Sequence, residues 1–500
     1  MYYLSTRGEI KKIKSTEAIV HGLSKDGGLY VPESFPKLSY EDINTLISKP
    51  YSQRAAYIMG LFLSEFSTDE LSEYTSKAYE ANNVSGFSTD NIVPVYKSDE
   101  NTYFLELWHG PTCAFKDIAL QIMPRLLTAS LKKLNETREA CILVATSGDT
   151  GKAALEGFRD VENTQIMVFY PENGVSDVQK IQMMTQEGEN VNVVAVNGNF
   201  DDAQTGVKSL FSDAALRSEL DEHGCFLSSA NSINWGRLVP QIAYYISAYC
   251  DLLKENAIKP GEKINFCVPT GNFGNILAAY YAERMGLPVN KLICASNRND
   301  VLTQFINTGV YNKNRPFYTT VSPSMDILVS SNLERLLFEL SGKNGDAVMS
   351  YMSALSVEGS YSVPSTVLNE LNRVFASGHC SEEDTLKTIN ETYRERNYLI
   401  DTHTAVACKV LADYRAATGD DTVSVVVSTA SPFKFCEAVL EALGKPHSGN
   451  GTALLDILSE ATGGKIPVPL AGLKNKIPRF TGSVEINGMK EAVIKFIKEK

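Results

Sequence analysis

The stretch INFCVPTGNFGNILAAYYAERM, Ile264 to Met285, decides how this fold is read. An apolar run, INFCV, meets a loop with glycines at 271 and 274, and the loop opens directly into a helical run. Apolar strand, tight glycine loop and helix in succession form the front half of a βαβ unit. Glycines in such a loop remove Cβ atoms, so consecutive backbone N–H groups can converge on an anion at a helix N-terminus. A plain glycine-rich turn would have the same composition. The loop is no dinucleotide fingerprint, because Phe273 stands where that pattern requires its second glycine.

Moving outward, the same texture recurs. Lys263–Val268 and Lys291–Ala295 read as strands around a helix at Asn275–Met285. Upstream, strands are expected at Thr102–Leu107, Cys141–Ala145, Gln165–Tyr170 and Asn192–Val196. Helices are expected at Ile118–Leu134, Lys152–Arg159, Asp177–Thr185, Asp201–Phe211 and Leu238–Leu253. Such alternation predicts an α/β protein with open, mostly parallel sheets flanked by helices. Residues 1–90 read as a mainly helical unit ending in a polar loop, Asn82–Asp90. We expect α/β domains over 91–240 and 241–445, with a tail at 446–500 that ends in a helix near Lys490–Ile497. Residues 297 to about 400 read as less regular, and Thr422–Ser428 as a last strand before a helix from Phe433 to Leu443.

With 500 residues, 43% of them hydrophobic, the chain can form two or three domains with a sizeable core. The balance of 47 basic against 59 acidic residues gives a net charge of −12. That argues against nucleic acid or an anionic membrane as partner, but not against a small anionic substrate. Nine scattered cysteines without a framework fit a reducing compartment, and the start MYYLSTRGEI lacks a secretory pattern. A cytoplasmic protein, monomer or homodimer, is expected. The six isolated histidines show no metal-ligand spacing, so no metal is expected.

Four further segments carry chemistry. In HGPTCAFKDIALQ, His109 to Gln121, Lys116 follows a Gly–Pro turn and begins a helical run beside Phe115. A partly desolvated lysine amine at such a boundary can form a Schiff base, although many helix-start lysines are simply solvated. In ATSGDTGKAA, Ala145 to Ala154, Thr146, Ser147 and Thr150 offer hydroxyls and Gly148 offers backbone N–H, together suiting a carboxylate or phosphate. This is no Walker A loop, since Thr146 replaces its first glycine and Ala153 its Ser/Thr. In SSANSINWGRLVPQ, Asn231, Ser232 and Arg237 cluster before a helix, and Arg237 suits bidentate oxyanion binding. A capped helix start with a surface arginine reads equally well. In VVVSTASPFKF, Ser428, Thr429 and Ser431 end a buried strand, either as ligand groups or as helix caps.

These motifs, in this order and spacing, resemble the long form of the threonine synthase family over essentially the whole chain. Tyr3 to Gly8 resembles that family's N-terminus as well. The resemblance implies a pyridoxal 5'-phosphate enzyme of fold type II (tryptophan-synthase-β-like), a carbon–oxygen lyase making L-threonine and phosphate from O-phospho-L-homoserine. It implies that Lys116, next to Phe115, holds the cofactor. Gly271, Asn272, Phe273, Gly274 and Asn275 would cradle the cofactor phosphate, and Thr429 would meet the pyridine nitrogen. Thr146, Ser147, Gly148, Asp149 and Thr150 would receive the substrate carboxylate. Asn231, Ser232 and Arg237, with Lys152 a further candidate, would hold the substrate phosphate. Asp149 departs from the asparagine common in relatives of the fold, and an ionised side chain there would repel a carboxylate unless turned away or neutralised. A serine/threonine dehydratase, an amino-alcohol phospholyase and a non-catalytic metabolite-binding paralogue are the alternatives.

Overall fold

The computed structural model describes residues 1–500 apart from 81–85, 88, 90, 173–174, 450 and 500. Most of the expected Asn82–Asp90 loop lies outside the described residues. In the N-terminal unit, β1 (Tyr3–Ser5) pairs antiparallel with β2 (Tyr30–Pro32), a small sheet the sequence reading lacked. Then come β3 (Val95–Lys97), β4 (Thr102–Glu106), β5 (Glu139–Ala145), β6 (Thr164–Pro171), β7 (Val191–Val196) and β8 (Cys225–Ser228). They are followed by β9 (Ile264–Pro269), β10 (Val289–Ser296), the paired β11 (Val310–Asn312) and β12 (Ser360–Ser362), β13 (Phe375–His379), β14 (Ser424–Ser428) and β15 (Ser483–Val484).

Two sheets organise the chain. One has the order β13-β10-β9-β14-β4-β3, parallel except for β3; the other, β15-β7-β6-β5-β8, is parallel throughout. Strands β4, β6, β9 and β14 are buried along their whole length, which is why they read as continuous apolar runs. Sheet membership interleaves along the chain. Residues 95–106 join strands from 264–428, and the tail strand β15 returns to β7.

Helix Trp235–Lys254 runs through the centre, packing on helices Tyr51–Phe62 and Gly274–Met285. Its Trp235 ring lies 5.2 Å from Tyr3, 5.7 Å from Phe62 and 6.1 Å from Tyr281, tying the N-terminal unit to the body. The expected helix Ile118–Leu134 is two, Lys116–Leu120 and Met123–Lys133. Pro124 brings no N–H to continue the first helix, and it sits in the opening turn of the second.

Residues 297–400 are more regular than expected. They hold helices Val301–Thr308, Leu333–Leu340, Gly345–Val357, Ser365–Val374 and Glu382–Arg396, while β13 pairs with β10. Residues that read as turns are caps: Asn344 accepts from the Ala347 N–H at 3.0 Å and Ser381 from the Asp384 N–H at 3.0 Å. The tail adds helix Ala453–Thr462 and the expected last helix, Met489–Lys498, whose Met489 and Val493 are buried with Val207 and Leu220. Among the described residues no helix is long and apolar enough to cross a membrane.

One buried cation fastens three helices. The Arg54 guanidinium donates to the Leu46 carbonyl at 2.9 Å, the Ile47 carbonyl at 2.8 Å and the Ser247 hydroxyl at 2.7 Å. It also meets the Asp251 carboxylate at 2.7 Å. Arg54→Met strands these acceptors, and the expected loss is about 2–4 kcal/mol, seen as a lower urea midpoint.

Candidate active site

The C-terminal ends of β5, β8, β9 and β14 converge on one cavity of about 590 Å³. Ligand sites of open parallel sheets lie at this edge, because the loops leaving it present backbone N–H groups and helix starts. Of the residues singled out from the sequence, all line this cavity except Gly148, Lys152, Ser428 and Ser431.

Lys116 starts the helix Lys116–Leu120. Its loop is pinned to the end of β14: Ala114 bridges Ala430, the Phe115 N–H donates to the Thr429 carbonyl at 2.8 Å, and the Ser431 N–H donates to the Cys113 carbonyl at 3.1 Å. This pairing brings Lys116 and Thr429 to one wall from opposite parts of the chain. Asp117 fixes the preceding turn by accepting from the Thr112 hydroxyl at 2.6 Å and its N–H at 2.9 Å. Lys116 is only 8% exposed, with Nζ 4.5 Å from the Phe115 ring centre and 3.3 Å from Asp149 Oδ2. Burial lowers the amine's affinity for a proton; Asp149 opposes this, while the Lys434 and Arg237 charges add to it.

Asp149 is neutralised by cations rather than turned away. Lys434, fully buried, meets its Oδ1 at 2.7 Å, and Gln179 donates to the same oxygen at 2.7 Å. Burial alone would raise the Asp149 carboxyl, but the charges of Lys434 and Lys116 and these two bonds hold it well below the usual carboxylate range. Gly148 lets Gln179 approach: its φ is +131°, and a Cβ there would lie 2.5 Å from Gln179 Cδ. The Thr146 hydroxyl accepts from the Gly148 and Gly151 N–H groups at 2.9 and 2.8 Å, so it shapes the loop. Ser147 and Thr150 stand half-buried in the cavity wall. Lys152 points elsewhere, to Glu156 at 2.9 Å and to Gln186, and does not line the cavity.

Opposite lies the loop Thr270–Asn275. Its carbonyls are held from behind: Ser330 donates to the Gly271 carbonyl at 2.8 Å, and the Asn332 side chain to the Asn272 carbonyl at 3.0 Å. The N–H groups of Gly271, Asn272, Phe273 and Gly274 find no partner among the described residues. Phe273 sits at φ +62°, a left-handed residue that curves these donors inward. Gly271 has no room for a side chain, since a Cβ would stand 2.7 Å from the Ser324 carbonyl oxygen. Asn275 accepts from the hydroxyls of Tyr244 and Tyr245, while its buried Nδ2 finds no partner among the described residues. A phosphate monoester fits this set of free donors.

Arg237, 3% exposed, donates through Nη1 to the Ala230 carbonyl at 2.6 Å, and its Nε finds no partner among the described residues. Burial pushes its guanidinium down to about 10, so it is still a cation at neutral pH. Ser232 accepts from Asn332 at 3.0 Å, and Asn231 donates to the Ala145 carbonyl at 3.2 Å.

The sequence reading missed Lys434, although it lies in a quoted motif; a lysine between Phe433 and Phe435 carries the same signal as Lys116 beside Phe115. It also missed His403, which lines the cavity with Nδ1 2.8 Å from Asp401 and Nε2 accepting from the Ser324 N–H at 3.3 Å. A lone histidine in an apolar helix gives no such signal. Among the described residues no His, Cys, Asp and Glu cluster suits a metal.

Because the Asp149 value lies below its unfolded one, roughly 3.9, ionised Asp149 stabilises the fold above that pH, and the stabilisation is lost as pH falls below it. The unfolding free-energy difference between wild type and Asp149→Asn is expected to shrink below about pH 4, measured by urea titration. A flat difference would mean an uncharged Asp149.

Three family models match the chain: threonine synthase N terminus over residues 2–79, pyridoxal-phosphate dependent enzyme over 93–360, and threonine synthase, C-terminal, over 404–493. The threonine synthase of Pseudomonas aeruginosa is 41% identical over 443 residues, 88% of this chain and 90% of that protein. Threonine synthase-like 1 of Homo sapiens is 42% identical over 439 residues, 86% of this chain, and the match spans 58% of that relative's length. The crystal structure of PLP-bound threonine synthase from Brucella melitensis superposes with a TM-score of 0.87 at 36% identity, covering 100% of both chains.

Proposed function

The chain belongs to the threonine synthase family, and from that premise we propose that it uses pyridoxal 5'-phosphate to turn O-phospho-L-homoserine and water into L-threonine and phosphate. One observation carries the reading: a buried lysine amine, a loop of unpartnered N–H groups and a buried arginine share a single cavity. Two separate sets of anion-binding groups in one cavity with an amine match a phosphorylated cofactor together with a phosphorylated substrate.

In this reading Lys116 holds the cofactor, the Gly271–Asn275 loop its phosphate, and Thr429 its ring nitrogen. When bound, the cofactor supplies an electron sink for charge developing on the substrate carbon skeleton. The chain supplies position and protons. Once released by substrate, Lys116 Nζ takes and returns the protons that the elimination and the addition of water require. Its desolvated site favours this, because only the neutral amine can accept a proton and burial favours that form. Ser147, Thr150 and the N–H groups at the start of helix Asp149–Phe158 receive the substrate carboxylate. That site tolerates Asp149 because Lys434 offsets its charge. Arg237, with Ser232 and Asn231, binds the substrate phosphate and stabilises it as it leaves. Nine free cysteines support a reducing, cytoplasmic setting for this biosynthetic lyase.

Lys116→Ala is expected to abolish both the visible absorbance of bound cofactor and the release of phosphate and threonine; retained turnover would refute the assignment. Arg237→Ala is expected to raise KM for phosphohomoserine about 10- to 100-fold while cofactor affinity moves far less. Equal losses in steady-state kinetics and cofactor titration would mean that the two phosphate sites have been exchanged.

A further inference from the structure

Three buried charges meet beside the cavity: Lys116, Asp149 and Lys434. A lone carboxylate beside Lys116 would favour its ammonium form and keep the proton where the chemistry needs a free amine. The observed geometry differs. Lys434 takes Asp149 Oδ1 at 2.7 Å and is anchored from behind by the Thr112 carbonyl at 2.9 Å, whereas Lys116 sits 3.3 Å from Oδ2. The shorter contact is to the lysine without any exposure, and Lys434 does not line the cavity. It therefore acts through Asp149 rather than on a ligand.

We propose that Lys434 is a positioning residue that neutralises Asp149, so that Asp149 holds the Lys116 amine in place without fixing its proton. This deepens the role given to Lys116 above and rests on it. The other groups around Lys116 are Arg237 on the central helix, and Asp117 and Cys113 on its own segment. Cys113 is kept as a neutral thiol by burial, and Asp117 is bound to the Thr112 turn. None of these meets Asp149 in an ion pair, whereas Lys434 does, so removing Lys434 leaves the Asp149 charge beside Lys116 without that counter-charge.

The test follows acetylation of Lys116 by acetic anhydride across a pH series, using the full-length chain before cofactor is added and exposed lysines as internal standards. Mass spectrometry gives the pH of half-maximal reaction. Lys434→Met is expected to raise that midpoint by about 1–2 pH units, and Asp149→Asn to lower it by a similar amount. Lys434→Arg, which keeps the charge, should hold the wild-type midpoint. An unmoved or lowered midpoint in Lys434→Met overturns the proposal, as does an equal shift in the Arg and Met variants, which would report packing instead of charge. If Lys434→Met does not fold, Lys434→Gln is read by the same criteria: a raised midpoint supports the proposal and an unmoved or lowered one ends it. No cofactor is needed, so a chain unable to bind one would refute the cofactor role of Lys116 and leave these comparisons intact.

Discussion

Charge buried at the junction of the two sheets is the constraint on which the rest of the structure depends. A carboxylate and two lysine side chains out of water are tolerable only with close partners on every side. The chain provides them from widely separated segments: Lys116 after β4, Asp149 after β5, Gln179 after β6 and Lys434 after β14. The need for these groups to meet explains the missing side chain at Gly148 and the strand-like pairing of Ala114 with Ala430. Both features hold a charge cluster in register more than they add to a core.

The cavity walls follow a common plan. The donors that face inward are left free, while the groups behind them are tied into the protein. In the Gly271–Asn275 loop the carbonyls are held by Ser330 and Asn332, and Asn332 is itself bonded by Arg335, buried among carbonyls of the N-terminal unit and of the segment before the central helix. The N-terminal unit reaches the cavity a second time through Arg7, bound to both oxygens of Glu334 at 2.9 and 2.8 Å. It is thus part of the scaffold of the site, although it supplies none of the residues singled out for chemistry.

How far this was legible in the sequence depends on the range of the interactions. Strand–loop–helix successions such as Ile264–Met285 announce themselves, because burial on both faces demands an apolar run and a βα turn demands small residues. Lys116, Arg237 and the Gly271 loop were visible for that reason. Pairings between distant segments were not. Nothing local to residues 102–106 says that they lie against 424–428, and nothing around Asp149 names Lys434 as its counter-charge. The segment 297–400 looked irregular because serine and asparagine serve equally as turn residues and as helix caps, and composition does not separate the two uses.

Strand β15 adds Ser483–Val484 to β7, almost three hundred residues upstream, and β4 waits for β14 in the same way. During synthesis, then, β4 and β7 lack these neighbours until residues 424–428 and 483–484 have been made. The nascent protein carries unpaired strand edges over those intervals, and a chain broken off before Ser424 would lack a rib from the middle of one sheet while keeping the whole segment around Lys116.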